Sequence, residues 1–106
     1  MTVAFDPKDV KAWREYLDRE GFVVLKRVLP KKDVEVAKNH IYDWLESLNS
    51  GIKKNDVSTW KNASWPGVTQ MGFLPTHGGA HTKASWFIRS HPNVIKAFQN
   101  VWDTEE

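Results

Sequence analysis

The chain has 106 residues, 15 lysines and arginines against 13 aspartates and glutamates, a net charge of +2 and no cysteine. That length suits one small domain, and a 41% hydrophobic share beside 26% charged residues excludes disordered, collagen-like and coiled-coil classes. The missing thiols exclude a disulfide framework, a thiolate zinc site and a thiol nucleophile, and so small a net charge does not mark a nucleic-acid or membrane-surface protein.

Asp6-Pro7-Lys8-Asp9 reads as a helix start, with Asp6 capping free amides, Pro7 at the first helical position and Asp9 at the positive dipole end. Val10, Trp13 and Leu17 recur on one face beside Tyr16, and Gly21 supplies a left-handed stop. This predicts a helix over 7–20. The β-branched, apolar stretch Phe22 to Leu29 predicts a strand that Pro30 ends. From Lys31 the apolar stripe Val34, Ala37, Ile41, Trp44, Leu45 and Leu48 predicts a second helix, closed by Asn49-Ser50-Gly51.

Residues 52–81 lack such periodicity. Lys53-Lys54-Asn55-Asp56 reads as a polar loop, Trp65-Pro66-Gly67 as a turn, Val68 to Leu74 as a short strand, and His77-Gly78-Gly79-Ala80-His81 as a flexible stretch. An irregular run of this length predicts a functional segment, or one that packs on something else. A short helix is expected over Thr82 to Ser90. His91-Pro92 then opens another, whose stripe is Val94, Ile95, Phe98, Val101 and Trp102. The expected organisation is a single domain or domain fragment, with helix–strand–helix over 1–51, an irregular region over 52–81 and helices over 82–106.

Nine charged side chains among the first twenty residues argue against a secretory signal, and the longest apolar run, Phe22 to Leu25, is far short of a membrane span. The expectation is a soluble, intracellular, cytoplasmic polypeptide.

Charge and aromatics are unevenly distributed. Six tryptophans stand at 13, 44, 60, 65, 86 and 102, and no acid occurs between Val57 and Trp102, where Lys61, Lys83, Arg89 and Lys96 lie with three histidines. This stretch suits a cationic, tryptophan-lined concavity for an anionic ligand, or equally a tryptophan core with scattered solvated lysines. Four cations over that length are thin for a nucleic-acid groove. His77 and His81 are four residues apart, but the Gly-Gly between them predicts a loop, not a zinc helix. None of the four histidines is followed two residues later by a carboxylate, so the facial triad of non-haem iron oxygenases cannot be assembled from this chain. No Walker loop, nucleotide-binding glycine fingerprint or serine elbow occurs.

Two stretches carry a family resemblance. Gly21-Phe22-Val23-Val24-Leu25-Lys26-Arg27-Val28-Leu29-Pro30 between two helices, and later Trp86-Phe87-Ile88-Arg89-Ser90-His91-Pro92-Asn93-Val94 with Phe98 and Trp102-Asp103-Thr104-Glu105-Glu106, resemble the front part of the phytanoyl-CoA dioxygenase family. The resemblance implies non-haem iron, 2-oxoglutarate-dependent oxygenase chemistry on a double-stranded β-helix (jelly roll). The family's iron-binding His-x-Asp, second His and 2-oxoglutarate-binding Arg come after this point, and Asp103 stands where many relatives have glycine. The expected fold is therefore α+β: a mainly helical N-terminal portion with one or two short strands, flanking a barrel beyond this chain.

On this reading the chain binds no cofactor alone and has no catalytic residue or activity by itself. Fe(II) and 2-oxoglutarate belong to the complete enzyme, and the partners are the rest of the barrel and a small-molecule or acyl substrate. His77, His81, Thr82, Trp86 and Arg89 are the expected pocket-facing residues, since they combine a Gly-Gly hinge, two imidazoles, an aromatic wall and a fixed cation. The rival expectation is a stand-alone, non-enzymatic interaction module with an aromatic, weakly cationic surface.

Overall fold

A turn decides where the first helix begins. Asp6 does not cap the helix: its Oδ1 accepts the Lys8 amide at 2.9 Å and its carbonyl accepts the Asp9 amide at 3.0 Å. Residues 6–9 are thereby folded into an Asx-type turn. Helix α1 runs Val10–Glu20, three residues later than predicted, and the Pro7 carbonyl accepts the indole Nε1–H of Trp13 at 3.1 Å. Gly21 ends α1 as its sequence position predicts, with φ 81 and its amide donating to the Leu17 carbonyl at 2.8 Å.

The computed structural model describes residues 3–61, 64–65 and 78–105. The predicted strand over 22–29 is shorter in the structure, where it is β2, Val24–Leu25. It pairs in parallel with β1, Ala4–Phe5, in the register Ala4 to Val24 and Phe5 to Leu25, and α1 is the crossover that parallel pairing requires. Arg27 stops the strand by adopting φ 55, a left-handed conformation in which a ladder cannot continue. The predicted strand over 68–74 lies outside the described residues.

By packing, the chain divides into two units, Met1–Asp33 with Arg89–Glu106, and Val34–Ile88. In the first, Trp13 is fully buried, and the rings of Phe5, Tyr16 and Phe22 follow one another at centroid separations of 5.1 and 5.9 Å. The Arg19 guanidinium lies 5.3 Å from the Tyr16 ring centre. Helix α4 (the fourth in chain order), Pro92–Trp102, has Pro92 at its first position and His91 as its cap: the Asn93 amide donates to His91 Nδ1 at 3.1 Å. With Nδ1 accepting, Nε2 carries the proton and donates to Asp33 Oδ2 at 2.9 Å. Asn93 Nδ2 donates to the Val28 carbonyl at 2.8 Å. Asp103, at the position where the family resemblance expects glycine, ends α4 with φ 53. A left-handed cap is where glycine is ordinarily favoured.

The second unit is built on α2, Lys31–Ser47, which ends with Asn49 and Gly51 both at positive φ. Ala37, Leu45, Ile52 and Ala84 are its buried apolar residues. Residues 52–60, expected to be an irregular polar loop, are densely tied. The Lys53 amide donates to Thr59 Oγ1 (2.8 Å), the Lys54 amide to Glu46 Oε1 (2.8 Å), and Trp60 Nε1 to the Lys53 carbonyl (2.9 Å). A single 3-10 turn, Val57–Thr59, is capped by Asp56. Trp60 stacks on Tyr42 at 5.9 Å and meets Trp65 at 6.4 Å. The short helix α3, Lys83–Arg89, lies where it was predicted.

The described chain is thus α+β, mainly helical with two short parallel strands. None of its described helices is long and apolar enough to cross a membrane.

Candidate functional site

The Gly-Gly segment ahead of α3 positions an aromatic pair. Gly78 holds φ 70, which a side chain would resist, and a Cβ on Gly79 would lie 3.4 Å from the Trp44 ring. Gly78 thereby allows a 3-10 turn over Gly79–His81. Thr82 then starts α3: its Oγ1 donates to the Gly79 carbonyl (3.1 Å) and accepts the Ser85 amide (3.2 Å), while Ser85 Oγ donates to the same carbonyl at 2.7 Å. The result sets the His81 and Trp86 rings 6.1 Å apart, tilted by 37°, both exposed. Thr82 is half-buried beside them, its hydroxyl already committed to the helix start.

Of the other two expected pocket residues, Arg89 is exposed at the end of α3 and belongs to the other unit, while His77 lies outside the described residues. The structure therefore brings together His81 and Trp86, with Thr82 supporting them through the backbone.

The remaining histidines are engaged. The half-buried His40 ring meets Phe87 at 5.7 Å, and both His91 nitrogens are used, one on the Asn93 amide and one on Asp33. Among the described residues no three His, Asp or Glu side chains converge as metal ligands would. The donor set described here does not fit a facial-triad iron centre.

A separate concavity of about 570 Å³ lies in the first unit, lined from the turn before α1, residues 26–28 that follow β2, and one face of α4. It contains no tryptophan, and of its cations only Lys96 comes from the acid-free stretch that sequence reasoning favoured. No sequence signal announces it, because Lys8, Lys26, Arg27 and Lys96 converge only through folding. Trp60, which the sequence placed in either a cleft or a core, packs against Tyr42 and the Lys53 carbonyl.

Two curated proteins are similar to this chain. A protein of Aspergillus versicolor called Ava biosynthesis cluster protein O is 30% identical over 107 residues, covering 100% of this chain and 34% of that protein. A protein of Dictyostelium discoideum named "Putative phytanoyl-CoA dioxygenase" is 27% identical over 95 residues, covering 87% of this chain and 27% of that protein. The chain thus spans about a third or less of the length of the curated relatives it matches. No family model matches the chain, and no solved structure matches it significantly.

Proposed function

We propose that this chain is the N-terminal portion of a phytanoyl-CoA dioxygenase-like, Fe(II)- and 2-oxoglutarate-dependent oxygenase, buttressing the catalytic barrel and lining part of the substrate pocket. The observation that carries the reading is the asymmetry of the alignments: nearly the whole chain aligns, but with only 34% and 27% of the two longer proteins. Exposed apolar side chains support it. On α4, Ile95, Phe98 and Trp102 are 43%, 60% and 73% exposed, and the helix buries no residue fully. A stripe of that kind ordinarily has a partner.

On this reading the iron ligands and the 2-oxoglutarate anchor come from residues outside the chain, since the described donors do not fit them. Bound there, iron and 2-oxoglutarate supply the dioxygen activation that hydroxylates a small or acyl substrate. The share of this chain is the wall: His81 and Trp86 present a polar-edged aromatic surface, and Thr82 fixes the turn that holds it. His77 and Arg89 are further, separate candidates for that pocket, Arg89 as a fixed cation toward a carboxylate or phosphate of the substrate.

Reading the transcript past the codon for Glu106 is the first test. A downstream His-x-Asp and second His support the oxygenase; an immediate stop codon overturns it in favour of a non-enzymatic interaction module. In a full-length protein, Trp86→Ala and Arg89→Ala should each raise KM more than they lower Tm. A fall in Tm with unchanged kinetics removes that residue from the pocket.

A further inference from the structure

We propose that the concavity of the first unit is an anion site that takes a small, soluble molecule bearing a diphosphate. The proposal does not depend on the oxygenase reading. Lys8, Lys26, Arg27 and Lys96 line the concavity with a single carboxylate, Asp6, whose Oδ1 is already occupied by the Lys8 amide. Four cations against one acid exceed the +2 of the entire chain, so the positive charge of this molecule is concentrated here. Yet none of the four ammonium and guanidinium groups forms an ion pair among the described residues. All four side chains are exposed, so an anion from solution can reach them.

Arg27 strengthens the argument from the backbone. It holds φ 55, a left-handed conformation that glycine or asparagine would occupy more readily. A bulky cation thus occupies a position where the backbone favours a smaller residue, and its side chain lines the concavity.

Size and lining narrow the ligand class. A volume of about 570 Å³ suits a small molecule. Pro7, Val10, Val28 and Ala97 give it an apolar wall, and no aromatic ring lines it for stacking a base. The charged groups therefore recognise phosphates, and two linked phosphates use four cations better than one does.

The test is calorimetric titration of the 106-residue chain with pyrophosphate, ADP, inorganic phosphate and adenosine, at low and at physiological salt. We expect saturable one-to-one binding of pyrophosphate, about ten-fold weaker binding of inorganic phosphate, and weakening with salt. ADP matching pyrophosphate means that the diphosphate alone is read; ADP binding more tightly means that a nucleoside adds contacts, and both support the site. Arg27→Gly, which relieves the backbone, and Lys96→Gln on exposed α4 should each weaken pyrophosphate binding about five-fold. Lys38→Gln in the other unit lowers net charge equally and should change nothing. Adenosine binding as well as ADP, no saturable pyrophosphate binding, or equal weakening by Lys38→Gln each overturns the proposal.

Discussion

The two units are held by bonds of different reach. In Met1–Asp33 with Arg89–Glu106, one large buried ring, Trp13, is the core, and the ties cross most of the chain: His91 to Asp33 is 58 residues and Asn93 to Val28 is 65. In Val34–Ile88 the buried groups are smaller, Ala37, Leu45, Ile52 and Ala84, and the polar ties of its 52–60 loop join residues close in sequence. The first unit thus concentrates its stability in a few long-range interactions, each closing a long loop whose entropy must be overcome. The second adds many short-range ties in its 52–60 loop to a smaller set of ring contacts such as His40 with Phe87. Single substitutions should therefore be felt unequally.

The largest effect is expected at Trp13. Its truncation to Ala removes the only fully buried ring of the first unit's described residues and should cost about 3–5 kcal/mol in urea unfolding. Trp13→Phe keeps most of the volume but loses the Nε1 bond to the Pro7 carbonyl, so it should cost clearly less. A loss below about 1 kcal/mol for Trp13→Ala would mean that the unit is not organised around this ring. In the second unit Ile52, only 2% exposed, is the corresponding position. Ile52→Ala should cost about 2–4 kcal/mol, and a loss exceeding that of Trp13→Ala would reverse the ranking of the two cores.

These contrasts also explain what could be read from the sequence. Helices α1, α2 and α4 were legible because their apolar stripes and their punctuation, Gly21, Pro30 and Pro92, are local. The sequence pattern puts the start of α1 three residues early because Asp6 has two possible partners, a helix amide or the Lys8 amide, and the turn wins. Strand β1 was invisible, two residues being too few to alternate, and the left-handed Arg27 that truncates β2 has no compositional cue. The same limit applies to the candidate sites. Residue type alone points to His81, Thr82 and Trp86, but only the fold shows that the Thr82 hydroxyl is spent on α3. The cationic concavity draws on residues 8, 26, 27 and 96, and no window along the chain contains them.

His91 probes the long-range ties. It caps α4 with Nδ1 and reaches Asp33 with Nε2, so His91→Ala should cost about 1–2 kcal/mol. His91→Asn keeps a good cap but is too short to reproduce the Asp33 bond, and should recover part of that loss. If Asn recovers all of it, capping carries the effect and the 58-residue tie contributes nothing. If Asn recovers none, the tie to Asp33 dominates.

The smallest effect is expected where the structure is most exposed, and it bears on the proposed function. Phe98 and Trp102 lie four residues apart on α4 and are 60% and 73% exposed. Phe98→Ser and Trp102→Ser should each change the stability of the 106-residue chain by no more than about 0.5 kcal/mol, because little buried surface is lost. In a full-length protein whose barrel covers this stripe, the same substitutions should each cost about 1.5–3 kcal/mol, the transfer energy of a large apolar side chain. Melting curves of both lengths measure the difference directly. Equal, small effects in the two would leave α4 facing solvent in the longer protein and remove the exposed stripe as support for a buttress.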